Sequence, residues 1–336
     1  MRQLNPFRRL LAPALLAIAM IAPSNVRADE TGALMADAAS RFLAALDDAG
    51  KAKAGFAFES PERLNWHWIP RERKGLPIKS LTPEQRSLAF GLVETGLSPR
   101  GNLKATTIMS LEGILRDAEH GTGPVRDPEL YYLSVFGTPS ESGEWGWRVE
   151  GHHLALNYTL RDGKVISATP FMFGSNPAEV KTGSRKGLKN LADIQAPAAA
   201  LVRSLDPGQV KLAVIDSDVP DVTTTPNPAQ APKAIPKGIA GKDLTPDQKA
   251  TLLKLVSAYS ENFPAPIRDD LRAGLADGID ATSFAWYGPA DPTQGHAFVI
   301  QGPTFLLDFN IKQDKANHIH TFYRSLRGDF GLPAAN

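Results

Sequence analysis

The chain has 336 residues, a net charge of +1 and no cysteine. The lack of cysteine excludes disulfides, thiolate chemistry, iron–sulfur clusters and Cys-ligated zinc. A near balance of 37 basic and 36 acidic residues argues against a nucleic-acid partner, because binding to phosphates requires clustered Lys and Arg.

The first residues have the three parts of an export signal. Three arginines precede an apolar run over 10–22, and small residues follow up to Ala28. The run is too short, and too interrupted by proline, to predict a stable membrane span. We therefore predict a signal peptide over residues 1–28 and a mature protein that is periplasmic or secreted.

Two parts of the chain follow the same plan. Leu81–Gln85 (LTPEQ) and Leu244–Gln248 (LTPDQ) both predict a helix start, with Thr as the N-cap and Pro at the first helical position. Further on, Phe136–Tyr158 (FGTPSESGEWGWRVEGHHLALNY) aligns without a gap with Tyr287–Phe309 (YGPADPTQGHAFVIQGPTFLLDF). We predict an α+β fold of two related helix-plus-antiparallel-β-meander halves that arose by internal duplication.

The predicted organisation of the chain follows from this alignment. An N-terminal helical segment, 29–80, precedes a first α+β half, 81–215, and the second half covers 244–336. Residues 216–243 are rich in Pro, Thr and Asp, which predicts a linker between the halves or a flap over a site. Residues 180–205 are predicted as a helical connector.

Four of the seven histidines lie in two short motifs, EGHHLALNY and NHIHTFYR. Two imidazoles two residues apart on a strand point the same way, which suits two nitrogen ligands of one ion. In the first motif the alternation of faces does not choose between the two adjacent histidines, because a bulge at Gly151 would reverse it. We expect the two meanders to face each other, so that the histidines meet in a crevice between the halves. The candidate metal ligands are His152, His153, His318 and His320.

Three charged residues near the histidines are candidate catalytic groups. Glu150 and Asp308 are candidates for a carboxylate ligand or base, and Arg324 is a candidate for binding an anionic substrate group bidentately. With a divalent metal ion, namely zinc, copper or manganese, these residues predict a hydrolase-like enzyme that activates water toward a small-molecule or anionic substrate.

Two other interpretations fit the same residues. A non-catalytic binding protein would hold a metal ion or an anionic small molecule without turnover. A metal-free site would use the histidines and arginine for acid–base chemistry or anion binding. A base close to the metal favours the enzyme, whereas a fully occupied coordination shell favours carriage or structure. Serine-hydrolase elbows, phosphate loops, HEXXH helices and dinucleotide fingerprints do not occur in the sequence.

Several longer motifs resemble a known family. WGWRVEGHHLALNYT, TPFMFGSNPAEV, FAWYG and ANHIHTFYRSLRGDFG together resemble DUF3500, a secreted bacterial family of unknown function, across most of the mature chain. The resemblance implies export but no particular reaction. Tyr323 and Asp308 stand where members of that family often have Trp and Glu.

Overall fold

The computed structural model describes residues 28–221, 228–231, 237–276 and 278–334. Apart from its last residue, the predicted signal peptide lies outside these ranges, as does part of the predicted loop 216–243. Within the described ranges, no helix has the length and apolar character needed to cross a membrane.

Helices and strands alternate in groups along the chain. The helices are α1 (Ala28–Ala44), α2 (Asp48–Ala54), α3 (Pro83–Gly96), α4 (Pro99–Ala118), α5 (Ala192–Ser204), α6 (Pro207–Ala213), α7 (Pro246–Ser260), α8 (Ala265–Ala276) and the four-residue turn α9 (Gln313–Ala316). The strands are β1 (Gly55–Phe56), β2 (Leu76–Pro77), β3 (Tyr132–Phe136), β4 (Glu144–Gly151), β5 (Leu154–Arg161), β6 (Lys164–Ser167), β7 (Phe171–Ser175), β8 (Val214–Asp216), β9 (Ile239–Ala240), β10 (Ser283–Tyr287), β11 (His296–Gln301), β12 (Phe305–Ile311) and β13 (Ile319–Ser325).

In the described residues these strands form one 13-stranded sheet with the main order β1-β3-β4-β5-β7-β13-β12-β11-β10-β8. Only β1 with β3 and β8 with β10 are parallel pairs in this part of the chain. The expectation that the two meanders face each other is wrong, because β7 and β13 pair edge to edge and join them in one sheet. This pairing satisfies the backbone groups of two strand edges that would otherwise be open. The fold is therefore a mixed one of helices and a large, mainly antiparallel sheet.

The predicted helix starts are confirmed. The hydroxyl of Thr82 accepts from the N–H of Gln85, and the side chain of Gln85 accepts from the N–H of Thr82, which is a capping box. Thr245 and Gln248 form the same box at the start of α7. In both helices Pro occupies the first turn, where its missing N–H costs nothing.

The predicted helical connector over 180–205 is only partly helical. α5 begins at Ala192, and the preceding stretch forms turns. Gly183 and Gly187 have φ of 76° and 89° in that stretch. These left-handed values are open to glycine and are incompatible with a continuing right-handed helix.

One face of the sheet packs against the helices. Leu154, Leu156 and Tyr158 of β5 lie on this face and belong to the main hydrophobic core, together with helical residues such as Leu92 and Leu255. The three β5 residues share one face because side chains alternate between the two faces of a strand.

The opposite face of the sheet is covered by loops. Its inward residues Ala155, Met172 and Phe322 form a second, smaller core with Trp66 and Trp68. The rings of Trp68 and Phe322 meet edge to face, with centroids 4.7 Å apart. We refer to this side of the sheet as the loop face.

Candidate metal centre

A two-residue turn, His152–His153, connects β4 to β5. His153 has φ of 62°, in the left-handed region that residues other than glycine rarely adopt. Two backbone hydrogen bonds hold it there: its N–H donates to the carbonyl of Trp68 at 2.9 Å, and its carbonyl accepts from the N–H of Gly174 at 2.8 Å. The turn is therefore fixed against both a covering loop and β7.

Gly174 in β7 makes room for the imidazole of His153. A Cβ added at Gly174 would lie 2.7 Å from Cδ2 of His153, far inside van der Waals contact. Gly174 also pairs with His320 across the β7–β13 junction. The missing side chain thus lets a histidine from the first meander reach a histidine from the second.

The side chains of His153, His318 and His320 converge on one point. Nε2 of His153 lies 2.8 Å from Nε2 of His318 and 3.2 Å from Nε2 of His320. Nitrogen ligands about 2.0–2.1 Å from a tetrahedral zinc ion are about 3.3 Å apart, which is close to these separations. One ligand atom from each residue lies within 4.8 Å of the others, and among the described residues this group contains no carboxylate. We call these three residues the His triad.

Burial keeps the His triad uncharged. It lowers the pKa of His153 well below the usual value and the pKa of His320 to about 3. Burial also lowers the pKa of His318, although the carboxylate of Asp314 acts in the opposite direction. Repulsion among the histidines adds to each of these shifts. Because neutral imidazole is the form that binds a metal, the triad needs to lose no proton near neutral pH.

Asp314 orients the ring of His318. Its Oδ2 lies 3.0 Å from Nδ1 of His318 and accepts from the side-chain amide of Asn176 at 3.2 Å. A proton on Nδ1 that is held by a carboxylate leaves the lone pair on Nε2, which faces the other two histidines. In many metal sites a carboxylate accepts a hydrogen bond from the ring N–H of a ligating histidine and fixes its orientation.

The turn that carries Asp314 has an unusual backbone. Asp314, Lys315 and Ala316 have φ of 53°, 58° and 59°. Left-handed backbone costs roughly 1–2 kcal/mol per residue other than glycine. Such strain persists where the surrounding structure enforces it, and it is concentrated at functional sites. Here it brings a carboxylate to the histidine four residues further along the chain.

His152 lies beside the His triad and outside its group of ligand atoms. Its ring stacks on that of His153 with centroids 3.7 Å apart. Its Nδ1 lies 2.5 Å from Oε1 of Glu112 in α4, and its carbonyl accepts from the hydroxyl of Tyr131 at 2.9 Å. Of the four histidines predicted as ligands, the structure brings three together and packs the fourth against one of them.

Arg126 places a cation next to these histidines. Its Nη1 lies 3.2 Å and 3.4 Å from the two ring nitrogens of His152. Its Nε and Nη2 donate to the carboxylate of Glu119 at 2.9 Å and 2.8 Å. The positive charge of Arg126 contributes to the lowered pKa of both His153 and His318. The His triad thus has a guanidinium within its electrostatic surroundings.

The predicted catalytic carboxylate Glu150 lies in a buried network of ion pairs. Its Oε1 is 3.3 Å from Nη2 of Arg148 and 4.0 Å from Nε of Arg73, and its Oε2 accepts from the N–H of His67 at 2.8 Å. Burial raises the pKa of Glu150 although the two arginines act to lower it. The carboxylate is outside the His triad's ligand group, and its catalytic role stays a prediction.

Arg324 and Asp308 are also buried. Arg324 pairs with Leu306 of β12, and Asp308 pairs with Phe322 of β13, which places both side chains on the loop face. Nε of Arg324 donates to Asp329 at 2.7 Å, so its charge has an internal partner. Asp308 is likewise absent from the His triad's ligand group. Their roles in binding an anion and in acting as a base stay predictions.

Sequence reasoning missed the groups that support the His triad. Glu112 and Arg126 lie in parts of the chain without any motif, and only the packing of α4 and the following loop beside the β4–β5 turn brings them to His152. Asp314 stands four residues before His318, and this short spacing in the sequence is a signal for their contact. Gly174 carried a signal too, since glycine inside a strand often marks a close approach.

The comparisons with known proteins match one family. A family model described as a protein of unknown function (DUF3500) matches residues 28–332. No curated protein sequence and no solved structure matches the chain. The matched range contains the whole His triad together with Asp314, His152 and Arg126.

Proposed function

We propose that this chain, which belongs to the DUF3500 family, is an exported metal-dependent enzyme of the hydrolase type. Nε2 atoms of His153, His318 and His320 would hold one divalent transition-metal ion and leave a coordination position for water. A metal with three protein ligands and an open position is typical of catalytic sites, whereas structural sites have four protein ligands.

The observation that carries this proposal is the convergence of three Nε2 atoms with a carboxylate behind one of the rings. Two neutral imidazoles meet at 2.8 Å, and the Nδ1 of His318 is held by Asp314 at 3.0 Å. Neutral rings that turn their Nε2 atoms to one point, with Nδ1 of one engaged elsewhere, present lone pairs to a common ion.

The set of ligands favours some metals over others. Three imidazoles suit zinc and copper, whereas manganese prefers oxygen ligands. Because the ligand group of the described residues has no carboxylate, we propose zinc or copper, and place manganese last among the metals considered.

The position of Arg126 favours a substrate that carries a negative charge. In the described part of the chain its guanidinium approaches His152 and influences His153 and His318. A metal ion held by the His triad would supply the activation of water for hydrolysis, while Arg126 would pair with the negative charge of the substrate. Both arginines have an acidic partner, Glu119 for Arg126 and Asp329 for Arg324. Arg126 is the one that lies beside the histidines, so it replaces Arg324 as the residue proposed to bind the anion.

A second candidate function is the binding of a metal ion without turnover. His318 and His320 are only partly buried, so the ion has a route to solvent, which carriage needs. The two functions share the His triad and differ in whether a bound water reacts.

We also propose that the two halves arose by duplication, and three observations support this. From the edges inward, the strands run β3-β4-β5-β7 and β10-β11-β12-β13. Each half has the same capping box at its first long helix. Three residues separate β11 from β12, and the N–H of Gly302 donates to the carbonyl of Phe305 at 3.0 Å, so that Pro303 and Thr304 form the turn. The carbonyl of Thr304 accepts from the N–H of Leu326 at 2.9 Å, as that of His153 accepts from the N–H of Gly174 at 2.8 Å. In this scheme Thr304 corresponds to His153.

The test of the enzyme uses the untagged mature protein, stripped of metal and then reloaded with zinc or copper. It is screened with activated carboxylic esters, phosphate monoesters and phosphate diesters. We expect turnover that requires the metal and is lost in His320→Ala. The exposed His120→Ala serves as the matched control and should retain activity. Stoichiometric metal without turnover of any substrate would favour the binding protein, and activity unchanged in His320→Ala would refute a catalytic His triad.

A further inference from the structure

A cavity of about 600 Å³ lies at the opposite end of β13 from the His triad. Ser325, the last residue of β13, lines it, whereas His320 stands five residues earlier. With the usual rise per residue of a strand, about 17 Å separate these two positions. No residue of the His triad lines the cavity, and its size is within the range of small-molecule sites.

One part of the cavity wall is apolar. Phe305 and Tyr323 from the sheet line it together with Ile267 and Leu271 from α8 and Val165 from β6. These side chains come from both the sheet and the helices, so they form a concave surface rather than a flat patch. A hydrocarbon or aromatic group placed there would be removed from water on several sides.

The mouth of the cavity is cationic. The charged residues that line it in the described part of the chain are Arg161, Lys164 and Arg327, and all three are exposed. Arg161 forms an ion pair with Glu144 at 2.6 Å. Within the described residues Lys164 and Arg327 form no ion pair. Burial and the carboxylate of Asp329 raise the pKa of Tyr323, and Arg327 acts in the opposite direction.

Small hydroxyl residues also line the cavity. Thr304 from the β11–β12 turn lines the cavity with Ser325, Ser167 and Thr169. In the proposed duplication Thr304 corresponds to His153. A threonine in place of an imidazole leaves room for a ligand and supplies a hydrogen-bonding group.

We propose that this cavity binds an amphipathic organic carboxylate. Its apolar body would lie against Phe305, Ile267 and Leu271, and its carboxylate would pair with Lys164 and Arg327. Arginine binds carboxylates through a planar fork, and lysine adds a second positive charge. The site is independent of the metal proposed at the His triad.

The test measures binding by titration calorimetry with three eight-carbon probes: octanoate, 1-octanol and octylammonium. Octanoate should bind about tenfold more tightly than 1-octanol, which corresponds to one favourable charged contact, and octylammonium should not bind detectably. Added sodium chloride should weaken the binding of octanoate, because the cations at the mouth are exposed.

Two kinds of variant complete the test. The double variant Lys164→Ala, Arg327→Ala should weaken octanoate binding about tenfold without changing that of 1-octanol, whereas the control pair Arg116→Ala, Lys211→Ala should leave both unchanged. Thr304→Phe, which fills the cavity, should abolish binding, and His320→Ala should not affect it. Equal affinity for octanoate and 1-octanol, no binding of octanoate at millimolar concentration, or unchanged affinity in the Lys164, Arg327 double variant would each overturn the proposal.

Discussion

The Nε2 atoms of His153 and His320 lie 3.2 Å apart, although 167 positions separate the two residues in the chain. The contact crosses the junction at which β7 and β13 join the two meanders, directly over Gly174. A histidine from each half therefore meets at the junction that makes the sheet continuous. This arrangement makes the site dependent on the assembled fold and on one glycine that is not a ligand.

We predict that Gly174→Ala removes metal binding without removing a ligand. The new Cβ would lie 2.7 Å from the ring of His153, so the imidazole must turn away from the other two. We expect the metal affinity to fall at least about tenfold, a loss of at least about 1.4 kcal/mol in binding free energy. Calorimetric titration with zinc measures it. Gly91→Ala is the control, since nothing lies within 4 Å of a Cβ there, and equal zinc affinity in the two variants would refute this role of Gly174.

Asp314→Asn tests the carboxylate behind His318. The amide keeps the shape and tolerates the left-handed backbone at φ 53°, but it loses the charge that favours the Nδ1–H form of the ring. We expect metal affinity to fall about 10- to 100-fold. The exposed Asp37→Asn, whose carboxylate pairs with Arg41 four residues away, should bind metal as the wild type does. An unchanged affinity in Asp314→Asn would show that His318 needs no such partner.

The metal-free protein should lose stability as the pH falls. The pKa of each histidine in the His triad is lowered in the folded state by burial, that of His320 to about 3. The unfolded chain, with pKa values near the ordinary 6.5, therefore binds more protons, and stability rises with pH between about 3 and 6.5. Each histidine contributes up to about 1.4 kcal/mol per pH unit.

Denaturant unfolding of wild type and His320→Gln across this range measures the effect. The variant lacks one of the titrating groups, so its stability should depend less steeply on pH. Parallel curves for the two proteins would contradict the lowered pKa of His320.

Arg126→Gln should leave the metal in place and weaken the binding of anions to it. In the cobalt-loaded protein, phosphate is expected to change the visible spectrum, and its apparent Kd should rise about tenfold in the variant because one charge-assisted contact is lost. Arg116→Gln changes an exposed arginine of α4 and is the control. If phosphate binds equally well to both variants, Arg126 does not take part in anion binding.

Arg324→Met separates a structural role from a catalytic one. Arg324 pairs at 2.7 Å with Asp329, which is fully buried. Removal of one partner of a buried pair leaves an uncompensated charge and typically costs about 3–5 kcal/mol of unfolding free energy. Arg41→Met breaks an exposed pair and should cost less than about 1 kcal/mol. Full stability of Arg324→Met with loss of activity would restore the catalytic role predicted from the sequence.

The sequence was informative where local chemistry decides the structure. The LTPEQ and LTPDQ segments predicted both helix starts, because a Thr N-cap and a Pro at the first helical position act within one helical turn. The concentration of histidines in two motifs predicted that they meet. It did not choose between His152 and His153, because a two-residue turn interrupts the alternation of side chains at that point.

The long-range packing of strands and helices could not be predicted from the sequence. The edge-to-edge pairing of β7 with β13 depends on backbone groups that every strand offers, so the expectation of facing meanders had no local signal to correct it. Glu112 and Arg126 reach the site through the packing of α4 and its following loop beside the β4–β5 turn. Neither residue stands in a motif that distinguishes it from a solvated surface charge.

The most direct test of the central claim is the metal content of the untagged protein, measured by mass spectrometry after incubation with zinc and removal of the excess. The wild type and His120→Ala should each retain one ion per chain. The double variant His318→Ala, His320→Ala should retain none while keeping a cooperative unfolding transition. A wild type that retains no zinc or copper, or a double variant that retains as much as the wild type, would contradict a metal centre at the His triad.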